Sequence, residues 1–307
     1  MKNCIKVLSI ALALLLIVGC ASKNQDINAG TVNEAVADNS TSKSIAVSKE
    51  TSDIVETTTS EDVTLSESNS VAPNSAEKTQ TPAQNSADRD NKTLEGFTVC
   101  VDAGHGQTTR AINKKEPIAP GSEIMKAAIA SGTSGVYTKI SEASLNLTVS
   151  KKLKEALAKK GARIIMIRET STCDLTNVER TELWNSSSVD LTIRIHANGI
   201  NDSKVSGVLM MIPGDKYIKD KEILEKSEQA GQYILDDVLK HTQAKSRGMI
   251  KSTELTGFNW SKVPVVLLEM GFMTNPQEDK LLNTESYQDK IVLGIVEGLE
   301  KYRSNLN

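Results

Sequence analysis

The chain has 307 residues, 38% of them hydrophobic and 24% charged, and its 39 acidic residues against 36 basic ones leave a formal net charge of −3. Such a length supports one sizeable folded domain, and a near-neutral balance with no basic block argues against nucleic acid as a partner. Only 3% of the residues are aromatic and the first is Phe97, so the packed core is expected to begin there.

Lys2 and Lys6 precede the apolar run Val7 to Val18, which is shorter than the about 20 residues of a stable membrane-crossing helix. It reads as an export signal. Ile17-Val18-Gly19-Cys20 closes the run and resembles the lipobox of bacterial lipoproteins, in which the cysteine becomes the lipid-modified first residue of the mature chain. Residues 1–20 are therefore expected to be a lipoprotein signal peptide, with Cys20 as the lipidation site and an extracytoplasmic, membrane-anchored protein at the bacterial cell envelope as the product. Each buried methylene of such an anchor contributes on the order of 0.8 kcal/mol, so two chains hold firmly.

From Ala21 to Thr93 the chain carries 12 acidic and 6 basic residues, is rich in Ser, Thr and Asn, and has no Phe, Tyr or Trp. It cannot bury enough apolar surface to offset its ordering entropy. Residues 21–93 are thus expected to be a disordered linker, spanning on the order of 45 Å as a coil, and residues 94–307 a single compact domain. No second hydrophobic span or internal repeat is visible, and a monomer is expected. Of the four cysteines, Cys4 leaves with the signal and Cys20 takes the lipid, while Cys100 in a strand and Cys173 in a loop read as free structural thiols.

Within the domain, "FTVCVD" (97–102) is a continuous apolar run of the kind found in strands buried on both faces. A long segment from Gln107 to Ile140 follows, whose Gly121, Gly132 and Gly135 suit either a mobile flap or a passive surface excursion. Ser141 can cap a helix in which Leu145, Val149, Leu153 and Leu157 recur every four residues until Gly161. Then come a strand at "ARIIMIR" (162–168), a helix over 176–187, strands at "DLTIRI" (190–195) and "GVLMMIP" (207–213), a helix over 219–241, a strand at "VPVVLLEM" (263–270) and a helix over 287–302. Alternating strands and helices predict a three-layer α/β/α fold with a mainly parallel twisted sheet. In such sheets function gathers at the carboxyl ends of the strands.

The reactive groups fall at those ends. His105 follows the first strand between two glycines, His196 follows "DLTIRI", and Glu269 closes "VPVVLLE". An ionised carboxylate at the end of an apolar run must meet a cation, a donor or a cleft, and two histidines on the same rim point to a metal. A catalytic zinc site takes three protein ligands and keeps one position for water, so one donor is missing. Glu142, in the first helical turn after Ser141, points its side chain back toward that rim. Glu116 and Glu123 are rivals in the long loop. His241, beside Lys240 near a helix end, suits the helix dipole and is set aside.

"VDAGHG", "SEASLNLTVSKKLKEALAKKGARIIMIRET", "NVERTELWN", "DLTIRIHANG" and "VPVVLLEMGFMTN" resemble, in order and spacing, the zinc-dependent N-acetylmuramoyl-L-alanine amidases of the Amidase_3 family, from about Phe97 to Tyr302. The resemblance implies a peptidoglycan hydrolase that cleaves the amide between the lactyl group of N-acetylmuramic acid and L-alanine. It implies Zn2+ held by His105, Glu142 and His196, with Glu269 as the catalytic glutamate. Arg180, Asn185 and Asn198 also match family positions, for loop order or contacts beside the metal. Two departures stand out: Ala103 replaces a common proline, and Arg194 stands where serine is common. Strand alternation puts Arg194 on the His196 side, placed to pair with Asp102 or to meet an anionic substrate group. Another zinc hydrolase of wall fragments, and a lipid-tethered wall-binding module without catalysis, are the alternatives.

Overall fold

The computed structural model describes residues 92–110 and 113–306. The expected signal peptide, Cys20 and the linker up to residue 91 lie outside the described residues. Among the described residues no helix is long and apolar enough to cross a membrane.

Among the described residues eight strands form in chain order: β1 (Thr98–Ala103), β2 (Lys115–Pro117), β3 (Met125–Ala127), β4 (Arg163–Met166), β5 (Leu191–Asn198), β6 (Val208–Pro213), β7 (Ser246–Ser252) and β8 (Val265–Phe272). Six of them make one sheet in the order β4-β1-β5-β8-β6-β7, and β2 pairs with β3 in a separate hairpin. The four strands β4, β1, β5 and β8 run parallel to one another. β6 lies antiparallel to β8 and parallel to β7, so the sheet is mixed but mainly parallel. The apolar runs land where the sequence places them, because strands covered on both faces need no polar alternation.

The helices are α1 (Glu142–Lys159), α2 (Asn177–Asn185), α3 (Lys221–Thr242), α4 (Thr256–Asn259), α5 (Pro276–Leu282) and α6 (Glu285–Ser304). Ser141 caps α1 as expected, its side chain accepting from the Ser144 amide. Thr176 and Glu179 cap α2 reciprocally, each side chain bonding the other's backbone amide. α1, α3 and α6 cover one face of the sheet, where Val101, Ile193, Ile195, Leu268, Leu153, Ile234, Ile295 and Tyr302 share the main core. On the other face Trp184 of α2 packs with Cys100, and Phe258 of α4 packs with Val265 and Leu267. This is the three-layer arrangement. Cys100 and Cys173 are both buried and unbridged.

Four elements escaped the sequence reading: the β2–β3 hairpin, β7, α4 and α5. β7 reads SRGMIKS and is largely exposed at the sheet edge, so it lacks the apolar run that marks an interior strand. The long Gln107–Ile140 segment is tied to the rest of the domain at several points. Asn259 donates to the Ile118 carbonyl at 3.1 Å, the Trp260 indole to the Pro117 carbonyl at 3.0 Å, and Asn177 to the Ala128 carbonyl at 3.1 Å. Further on, the buried Asp279 of α5 accepts from the amides of Tyr137 and Thr138 at 2.7 and 2.8 Å. The segment is pinned at both flanks.

Candidate metal centre and active site

Parallel pairing of β1, β5 and β8 brings their carboxyl ends to one rim, and the chain uses each end differently. After β1 the backbone turns through His105 with φ 61°, a conformation uncommon for a residue other than glycine and often a mark of function. Gly104 and Gly106 make room on either side. A Cβ at Gly104 would lie 2.3 Å from the His196 ring, and one at Gly106 would lie 2.7 Å from the Cys173 Cβ. The glycines flank His105 because two neighbouring side chains occupy the space a Cβ needs.

His105, Glu142 and His196 converge, with one ligand atom from each lying within 4.8 Å of the others. Glu142 Oε1 is 3.1 Å from His105 Nε2 and 3.1 Å from His196 Nδ1. The two rings meet edge-on, with centroids 4.8 Å apart. His105 Nδ1 lies 2.8 Å from the Ala130 carbonyl; a proton held there leaves the Nε2 lone pair facing the cluster. Burial pulls the His196 pKa down to about 4, so its imidazole is neutral at neutral pH. Burial also opposes protonation of His105, but the Glu142 charge and hydrogen bond outweigh it and raise its pKa. Burial opposes the charge on Glu142 as well, yet the two imidazoles hold its carboxyl well below the usual range.

Two neutral-capable imidazoles and one ionised carboxylate form the donor set that a divalent cation of the zinc type takes. His105 adds a specific sign of fit: with Nδ1 donating to the Ala130 carbonyl, its Nε2 lone pair faces Glu142 Oε1 at 3.1 Å, two electron-rich atoms that a cation reconciles. Glu269 sits half-buried on β8 in register with His196 of β5, so both side chains leave the same face of the sheet.

The rim is heavily braced. Asn146, four residues after Glu142 on the same helical face, donates to Glu142 Oε1 at 3.2 Å. The Thr133 amide donates to Glu142 Oε2 at 3.0 Å. Asp102, fully buried, lies between Arg180 at 2.6 Å and Arg194 at 3.0 Å. Burial alone would raise its carboxyl pKa, and the two guanidiniums hold it far below the usual range instead. Arg180 also donates to the His105 carbonyl. The pairing of Arg194 with Asp102 is therefore realised, and both groups are buried beneath the rim.

The remaining candidates lie elsewhere. Asn198 accepts from the Gly199 amide at 2.7 Å, shaping the chain beyond β5. Asn185 ties α2 to the following loop, donating to the Trp260 carbonyl at 2.9 Å and accepting from the Lys262 amide at 2.8 Å. Glu116, a rival for the third ligand, is buried outside the cluster and accepts from the Val178 amide at 3.1 Å, at the amino end of α2. Glu123 is exposed, and His241 pairs with Glu297 at 2.9 Å. Sequence reasoning missed Asn146 and the contribution of Ala130 and Thr133. The i to i+4 spacing from Glu142 marks Asn146. Nothing local marks the loop residues, whose role depends on where the long segment returns.

Fold and rim together define an α/β enzyme domain with a candidate single-metal centre at the carboxyl edge of its sheet. Residues 99–301 match the family model for N-acetylmuramoyl-L-alanine amidase, Amidase_3. The chain belongs to that family. It is 31% identical over 182 residues to the germination-specific N-acetylmuramoyl-L-alanine amidase of Bacillus subtilis, an alignment covering 53% of this chain and 71% of the relative. Among solved structures, the N-acetylmuramoyl-L-alanine amidase of Clostridium difficile 630 superposes with a TM-score of 0.56 at 25% identity, covering 69% of this chain and 98% of that one. Ami1 of Mycobacterium smegmatis shares the fold with a TM-score of 0.61 at 22% identity, covering 69% and 98%.

Proposed function

We propose that the chain is a zinc-dependent N-acetylmuramoyl-L-alanine amidase that hydrolyses peptidoglycan outside the cytoplasmic membrane, tethered there through lipid on Cys20. Family membership supports the substrate bond. The observation that carries the zinc reading is the convergence of His105, Glu142 and His196 within 4.8 Å. These three residues would hold the ion, which when bound supplies Lewis acidity to the scissile carbonyl and lowers the pKa of water.

The protein's own groups do the rest. Glu269 accepts the proton of the attacking water as its oxygen bonds to the carbonyl carbon, then returns that proton to the alanine nitrogen as the C–N bond breaks. A carboxyl group is left on the lactyl side and a free amine on L-alanine. The Ala130 carbonyl fixes the His105 ring, and Asn146 with Thr133 fixes Glu142, so little reorganisation is needed when substrate arrives.

The test is digestion of purified peptidoglycan by the zinc-loaded full chain, with mass spectrometry of the products and labelling of new amino termini. L-alanine amino termini are expected. Glu269→Gln should lower turnover by about 10²- to 10⁴-fold, the usual contribution of a general base, while retaining zinc. Full turnover by that variant, or full turnover after exhaustive chelation, defeats the mechanism. For the tether, Cys20→Ala should move the protein from the membrane fraction to the soluble one, and unchanged fractionation defeats the lipid assignment.

A further inference from the structure

Arg168 stands just after β4, is 5% exposed, and none of the chemistry above uses it. Its guanidinium donates from Nε to the Ala103 carbonyl at 2.8 Å, and from Nη2 to the Gly104 carbonyl at 2.9 Å and the Ala143 carbonyl at 2.7 Å. Nη1 reaches the Thr170 carbonyl at 3.0 Å. All four acceptors among the described residues are backbone carbonyls, and no carboxylate offsets the charge by direct contact. Burial and the neighbouring Arg180 push its pKa down to about 10, so it stays a cation at neutral pH.

A buried cation bonded only to neutral carbonyls is an expensive way to fill space. Its acceptors show what the expense achieves. Gly104 is the residue before His105, and Ala143 is the residue after Glu142. One nitrogen, Nη2, bridges the turn that carries the first histidine and the helical turn that carries the glutamate. A Cβ at Gly106, on the far side of His105, would lie 3.5 Å from the Arg168 Cδ, so the arginine stem also backs the turn. The planar fork holds its donors in fixed directions toward these carbonyls, whereas a lysine ammonium is a compact point charge on a flexible stem.

We propose that Arg168 is a positioning residue that staples the His105 turn to the start of α1 and so sets the spacing between His105 Nε2 and the Glu142 carboxylate. The role rests on the reading of the cluster as a cation site. It predicts that Arg168 acts on metal affinity and metal geometry without touching metal or substrate.

The test uses the full chain and its Arg168→Lys and Glu142→Ala variants, with zinc affinity measured by competition against a chromophoric chelator. Arg168→Lys should weaken zinc by about 10- to 100-fold, the usual effect of removing a group that orients a ligand. It should also alter the visible absorption of the cobalt-substituted protein and lower kcat with KM unchanged. The metal-free variant should still fold, with a lower melting point because buried carbonyls lose their partners. Wild-type affinity and cobalt spectrum in Arg168→Lys, together with zinc loss in Glu142→Ala, overturn the role of Arg168 alone. Wild-type affinity in Glu142→Ala overturns the cation site itself. A metal-free protein destabilised by Arg168→Lys with zinc affinity intact reduces Arg168 to a prop and likewise overturns the proposal. If the variant does not fold, the unaltered chain decides: zinc should slow hydrogen exchange of the Arg168 Nε–H several-fold, and equal rates with and without zinc overturn the staple.

Discussion

The rim of the sheet and the seam between α3 and α6 are both tightly closed, by opposite means. At the seam Gly294 and Gly298 let backbone meet backbone: a Cβ at Gly294 would lie 2.5 Å from the Val238 Cα, and one at Gly298 would lie 2.6 Å from the Ile234 Cα. Ile234, Val238, Ile291 and Ile295 are fully buried there, with Asp237 beside Gly294 paired to Lys301. At the rim the same closeness is reached with charges, since Asp102, Glu142, Arg168, Arg180, Arg194 and His196 are all less than 9% exposed. Burial of apolar groups stabilises directly, whereas buried charges stabilise little even when paired. The seam closes because closure is favourable, whereas the rim holds a charged array in place against the cost of burying it.

That contrast makes glycine substitutions at the two places separable. Gly104→Ala places its methyl against the far end of the His196 side chain, which can rotate away without moving the backbone. The fold should survive and the site should not. A displacement of about 1 Å at a reacting centre costs on the order of 10²-fold in rate, so turnover is expected to fall at least that far with metal-free melting little changed. Kinetics beside calorimetry checks it, and intact turnover would show that His196 does not need its observed place. Gly298→Ala, by contrast, meets backbone that cannot rotate. Overpacking costs about 1–3 kcal/mol, and a domain of this size loses roughly 2–4 °C of Tm per kcal/mol. Zinc affinity and kcat of the surviving folded protein should match the parent. A variant that melts normally would mean the helices part more easily than the contact distances imply.

The sequence reading handles the two regions unequally, for physical reasons. Strands β1, β5 and β8 and the capped helix α1 are legible because apolar runs and a four-residue repeat are local signals. The rim residues His105, His196 and Glu269 are legible because they are reactive groups placed at the ends of such runs. Glu142 against Glu116 is not decided locally. Both are acidic residues between the two histidines, and only the return path of the 107–140 segment puts Glu116 at the amino end of α2 and Thr133 against Glu142. Arg168 hides for a similar reason: a basic residue closing an apolar run resembles a solvated strand end until three carbonyls converge on it. β7 is lost because exposed edge strands carry polar side chains as protection against pairing with other chains.

Acid is the mildest probe of the rim, whose carboxylates Asp102 and Glu142 are both buried. Asp102 is the clearest, lying under Arg180 and Arg194, which hold its folded pKa well below the usual carboxyl range against the opposing effect of burial. An unfolded aspartate has a pKa of about 3.9. Since the folded value is the lower one, the unfolded chain binds the extra proton between the two values, and stability must fall as pH falls in that window. Above pH 5 the contribution is fully present. At pH 3, about one unit below the unfolded value, the loss from this one group is on the order of 1 kcal/mol. Asp102→Asn removes the titration, so the stability gap between parent and variant should narrow by that amount from pH 7 to pH 3 in urea midpoints. Gly298→Ala titrates nothing, and its gap should stay constant over the same range. A gap for Asp102→Asn that stays equally constant would mean that Arg180 and Arg194 do not hold the carboxylate ionised, and that the rim owes its closure to packing as the seam does.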